Sequence, residues 1–139
     1  MRFVTVVLVV AAAVLSTSAS EARAAWIKPG KCAVPASSAS SFDSIAALQV
    51  RFSTTKVPCF IAAYSIEDAV ERSRSSRPRF TLTSQGTRWE VTWSCRSRAK
   101  GQGRAVTCRA TSGVDAESDR GQTRRLKGGA MRWTTNPVK

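Results

Sequence analysis

Histidine is absent from this sequence. Without an imidazole there is no Ser-His-Asp triad, no Cys-His dyad and no histidine-dependent ribonuclease or phospholipase chemistry. A catalytic zinc site of the usual histidine-bearing kind is excluded for the same reason. Acids are scarce as well: nine Asp and Glu stand against 22 Lys and Arg, a formal net charge of +13. Carboxylate or lysine chemistry is what remains open to an enzyme. The four cysteines form no C-x-x-C pair, their spacings being 27, 36 and 13, so a zinc knuckle is not indicated. Ser53-Thr54-Thr55-Lys56 and Ser97-Arg98-Ala99-Lys100 match S-x-x-K, but the companion motifs of serine–lysine acylating enzymes are missing. Both matches are attributed to chance. No cofactor and no metal are expected.

What is present begins with the first 24 residues. Met1-Arg2 is a short charged start, Phe3–Leu15 is apolar apart from Thr5, and a small polar stretch ends in Ala22-Arg23-Ala24. Charged n-region, apolar h-region and A-x-A site make a cleavable secretory signal. The apolar run is shorter than the roughly 20 residues of a membrane span. The sequence therefore predicts export, periplasmic or extracellular, with cleavage after Ala24 and no transmembrane span in the mature chain. Removing Arg2, Arg23 and Glu21 with the signal lowers the net charge only from +13 to +12.

Residues 25–139 suffice for one small domain. All four cysteines lie there, and an even count in a small exported domain reads as two disulfides. Residues 25–41, with Pro29, Gly30 and Pro35, read as an extended N-terminal arm anchored by Cys32. Leu48, Val50 and Phe52 alternate with polar neighbours, a strand period entered from a short helical turn. The rival reading is a helix over 42–52 with Ser40 and Asp43 as capping box. Val57-Pro58 breaks the run, and Cys59–Tyr64 reads as a further strand. Ser65-Ile66-Glu67-Asp68 resembles a capping box opening a helix at 66–75, with Asp68–Arg72 paired at i,i+4 and Pro78 closing the segment.

The clearest pattern runs from residue 79 to 112 and predicts a three-stranded antiparallel meander. A tight turn at Gln85-Gly86 sets Leu82 opposite Trp89 and Phe80 opposite Val91. A second turn over Lys100-Gly101-Gln102-Gly103 sets Cys95 opposite Cys108 and Trp93 opposite Ala110. Both registers put the apolar side chains on one face. Opposed cysteines on antiparallel strands lie within disulfide reach, which predicts Cys95–Cys108 and, by elimination, Cys32–Cys59. Residues 114–139 read as an acidic connector (Asp115, Glu117, Asp119) and a basic tail, with a further edge strand around Trp133 as one option. The expected fold is a small α+β domain centred on 42–113: an antiparallel sheet around the meander, one covering helix at 66–75 and two disulfides.

The expected solvent face of the meander carries Arg79, Arg88, Arg96, Arg98 and Arg109, with Glu90 its only acid, while Lys100 and Arg104 flank the glycines of the second turn. Guanidinium groups spread over a rigid sheet can meet phosphate or carboxylate bidentately, and the glycines would let a ligand approach the backbone. The loop is no P-loop, because a strand follows it where a helix is needed. Trp89 and Trp93 belong to the core in this register; Trp26 and Trp133 remain open as contact residues. Glu67 and Glu71, neighbours on one helix surface beside Arg72 and Arg74, lack the facing geometry of a glycosidase pair.

These features favour a non-enzymatic binding module for an acidic partner: an acidic polymer, nucleic acid included, an anionic envelope surface or an acidic protein. An inhibitor of a secreted hydrolase acting through loop 99–104 is the alternative, and a carboxylate enzyme ranks last. The intact mass of the exported protein tests the first step. It should correspond to residues 25–139; a product beginning before Ser16 contradicts the signal.

Overall fold

In a computed structural model, residues 26–116 and 122–136 are described. The expected signal and its cleavage site lie outside them. The elements are β1 (Lys31–Cys32), α1 (Asp43–Ala47), β2 (Arg51–Thr55), α2 (Cys59–Glu71), β3 (Arg79–Gln85), β4 (Trp89–Lys100), β5 (Gly103–Asp115), β6 (Arg124–Arg125) and β7 (Ala130–Thr135), with short 3-10 turns at Ala36–Ser41 and Arg74–Ser76. The strands form one antiparallel sheet in the order β1-β2-β7-β5-β4-β3, and β6 pairs with the far end of β5. A small antiparallel domain with few helices and two disulfides is thus what the chain builds.

Alternation decides which side of the sheet is buried. Phe80 and Leu82 of β3, Val91, Trp93 and Cys95 of β4, Val106 and Cys108 of β5, Met131 and Trp133 of β7 and Phe52 of β2 all point to one face and are buried. Against this inner face lies α2, whose Ile61, Ala62, Ile66 and Ala69 are fully buried. The Trp93 indole Nε1 donates to the Ser65 hydroxyl at 3.0 Å, and that hydroxyl donates to the Ile61 carbonyl at 2.9 Å. A buried indole N–H left without a partner would cost much of the benefit of burying the ring, so this bond fixes where the helix sits on the sheet.

The helix starts earlier than its sequence pattern suggests. Cys59–Tyr64, expected as a strand, is its first half, and its end at Glu71 precedes the expected 75. Pro58, extended at φ −58° and ψ 145°, stands at the N-cap, where a missing N–H costs nothing. The run lacks alternation because most of this half is buried. Ser65 is therefore not a cap but an interior residue, spent on Trp93. Glu67 is not free either: its carboxylate accepts from the Ser44 and Ile45 amides at 2.9 and 3.0 Å, closing the N-terminus of α1 from outside. The expected Asp68–Arg72 pair is present at 2.8 Å.

The β4–β5 hairpin has the expected register, Cys95 opposite Cys108 and Trp93 opposite Ala110. The β3–β4 hairpin does not: Leu82 faces Trp93 and Phe80 faces Cys95, four residues from the expected pairing. Its turn is centred on Thr87-Arg88, with the Gly86 amide donating to the Trp89 carbonyl. Gly86 is required for another reason, since a Cβ there would collide with the Trp89 indole. Because the slip is even, every side chain keeps its face.

The two disulfides are Cys95–Cys108 and Cys32–Cys59. The second joins β1 to the first turn of α2. The arm thus contributes β1, and the stretch expected as connector and tail contributes β6 and β7. Strand β7 runs between β2 and β5 rather than along an edge.

Trp133 Nε1 is buried with no hydrogen-bond partner among the described residues. Trp93→Phe should therefore cost about 1 kcal/mol more than Trp133→Phe. Denaturant unfolding of the two variants checks this, and equal costs contradict the role given to the Trp93–Ser65 bond.

Candidate polyanion-binding site

With α2 on the inner face, the outward residues of each strand form the second face, and at one end this face is hollow. A concavity of about 840 Å³ is lined by the consecutive triplets 51–53, 96–98, 105–107 and 132–134, together with Pro78, Arg79 and Lys100. Lining by consecutive residues means that strand backbone makes the floor and outward side chains make the walls. Six of those side chains are cationic: Arg51, Arg79, Arg96, Arg98, Lys100 and Arg132.

Register arranges them in rows. One row crosses all six strands of the main path: Lys31 opposite Ser53, Ser53 opposite Arg132, Arg132 opposite Thr107, Thr107 opposite Arg96 and Arg96 opposite Arg79. The next row holds Arg51, Thr134, Ala105 and Arg98. Strand spacing puts the ends of the first row about 24 Å apart and the two rows about 7 Å apart.

The described carboxylates are elsewhere. Asp43, Glu67, Asp68 and Glu71 belong to the helices, and Glu90 and Asp115 lie at the opposite end of β4 and β5. None of the six cations is paired with a carboxylate among the described residues. So many unpaired like charges on one concave surface raise its positive potential, because low-dielectric walls focus the field.

Of the seven cations expected at the site, Arg79, Arg96, Arg98 and Lys100 come together in the trough. Arg109 is on the same face but outside the hollow, level with Ala130. Arg88 sits in the β3–β4 turn, at the other end of the sheet. Arg104 is on the wrong side. Strand β5 starts at Gly103, so Arg104 shares the inward parity of Val106 and Cys108. Its Nε donates to the Ser97 hydroxyl at 3.0 Å and its Nη2 to the Ser76 carbonyl at 3.4 Å. The Ser97 hydroxyl in turn donates to the Ser75 carbonyl at 2.6 Å. Arg104 is a structural clamp on the 74–76 turn.

The glycine reading also changes. Gly101 adopts φ +57° in the β4–β5 turn, a conformation that favours glycine. At Gly103 the close approach comes from within: a Cβ there would strike the Thr135 carbonyl. Loop 99–104 is accordingly a tight two-residue turn. Trp133, which the sequence leaves open as a contact residue, is buried, and Trp26 packs edge-on against Phe42 at 5.7 Å.

Arg51 was missed, and Arg132, read as part of a basic tail that adds to polyanion binding, lies instead within the sheet, because β2 and β7 are far apart in the chain. Parity alone would have placed Arg104, counting back from Cys108. Among the described residues no group of three or more His, Cys, Asp or Glu could hold a metal ion, and no helix is long and apolar enough to cross a membrane.

The chain matches no protein-family model, no curated protein and no solved structure.

The two kinds of arginine should separate by stability. Arg104→Ala is expected to cost about 1–2 kcal/mol through its lost hydrogen bonds, whereas Arg98→Ala should stay within about 0.5 kcal/mol. Urea unfolding measures both, and a neutral Arg104→Ala contradicts the clamp.

Proposed function

We propose that this protein is an exported, non-enzymatic module that captures an acidic partner in the cationic trough. The observation that carries the reading is the six unpaired cations on one concave face, with the described carboxylates on other surfaces. A surface that served only solubility would interleave signs. Cationic side chains with no carboxylate partner among the described residues have no ion pair to break when an anion arrives, and each can donate charge-assisted hydrogen bonds to it. Two disulfides support export, since such bonds persist in oxidising compartments. The non-enzymatic part rests on the missing histidine and on the use of Glu67 as a cap, which removes the one carboxylate pair considered for catalysis.

Binding should be steeply salt-dependent. On duplex DNA, used as a generic polyanion, log affinity should fall with log salt by about 0.9 per phosphate contacted. Changing Arg51, Arg96, Arg98 and Arg132 together to Ser should lower low-salt affinity by about tenfold or more and flatten that slope. A control with Arg88, Arg109 and Arg125 changed to Ser, all outside the trough, should stay close to the parent. Fluorescence anisotropy across a salt series gives both numbers. Equal losses in the two variants would mean that net charge, not the trough, attracts the partner. Absence of binding by the parent at low salt would remove the reading altogether.

A further inference from the structure

Arg79 and Arg96 stand directly opposite each other on β3 and β4, where like charges repel, and no carboxylate among the described residues relieves them. An anion that bridges two guanidinium groups removes that repulsion. A carboxylate is planar and accepts hydrogen bonds close to its own plane, so donors must meet it edge-on. A tetrahedral phosphate in a chain keeps two non-bridging oxygens and takes donors from two sides. The hydroxyls of Ser53 and Thr107 alternate with Arg132 and Arg96 along the same row, adding neutral donors between the charged ones.

Equally informative is what the walls lack. Among the described residues no aromatic side chain stands exposed in the trough: Phe52 and Trp133 border it but are buried, Trp89 and Trp93 are buried, and Trp26 packs against Phe42. Strand binding that involves bases relies on such stacking platforms. The exposed large apolar residues Ile27, Tyr64 and Val114 do not line the hollow either, so no exposed large apolar side chain is there to enter a lipid interior.

Resting on the capture of an acidic partner proposed above, we infer that the occupant is an unbranched phosphate polymer, lying across the strands along the Lys31–Arg132–Arg96–Arg79 row and held through its phosphates alone. The row sets its length. Chains shorter than about 24 Å leave cations unused, so affinity should rise with chain length and then level once that span is covered.

The test is a competition titration of the disulfide-bonded protein with three probes of equal chain length: inorganic polyphosphate, polyacrylate and thymidine oligonucleotide, the last with an abasic phosphodiester of the same length beside it. Polyphosphate should bind at least about tenfold more tightly than polyacrylate, and the thymidine and abasic strands should bind alike. Arg79→Ser with Arg96→Ser should lower polyphosphate affinity by a clearly larger factor than polyacrylate affinity, removing most of the preference. Both side chains are exposed, and an unchanged melting temperature confirms that the variant is folded. Polyacrylate binding as tightly as polyphosphate overturns the phosphate assignment but leaves the acidic-partner reading standing. Tighter binding of thymidine than abasic strand overturns recognition through phosphates alone. If none of the probes binds at low salt, both readings fall.

Discussion

The hydrogen bond from the Trp93 indole to Ser65 is the point on which this architecture turns. It fastens α2, the one long helix among the described residues, to the middle of the sheet, and through the back-bond to Ile61 it ties sheet and helix into a single polar chain inside an apolar core. A single helical layer can cover only one face of a sheet. Among the described residues nothing covers the other face, and its outward positions are free to be chosen for charge. The basic trough is therefore a consequence of one-sided burial. Inward positions carry the stability, with both disulfides among them, and outward positions carry the charge.

Local pattern made some of this legible. Alternation across β4 and β5, with cysteines in opposed positions, fixed the hairpin register and the pairing of all four cysteines. The even slip at β3–β4 spared the face of every residue, so Arg79, Arg96 and Arg98 were correctly read as outward. Other features have no local signature. Cys59–Tyr64 is uniformly apolar because a helix tucked under a sheet is buried on most of its surface, and period is silent there. Gly86 resembles a turn glycine, yet it serves the Trp89 ring. The pairing of β2 with β7 joins segments far apart in sequence, so Arg51 and Arg132, and with them the concave shape of the site, emerge only from the assembled sheet.

Charge is sorted between the layers. The helix side carries Asp43, Glu67, Asp68 and Glu71, one of them used to cap α1 and one paired with Arg72, while the described residues that line the trough on the opposite face include six cations and no acid. Arg104 shows why counting basic residues misleads. It has the same chemistry as its neighbours, but parity turns it inward, where its donors are consumed by Ser97 and Ser76. Which arginines face the trough and which turn inward is decided by the strand register.

The most direct measurement is arginine-selective chemical footprinting with and without polyphosphate, read residue by residue by mass spectrometry. The account predicts protection of Arg51, Arg79, Arg96, Arg98 and Arg132, with Arg88, Arg109 and Arg125 modified at unchanged rates. Protection spread evenly over all exposed arginines, or confined to those outside the trough, would contradict it.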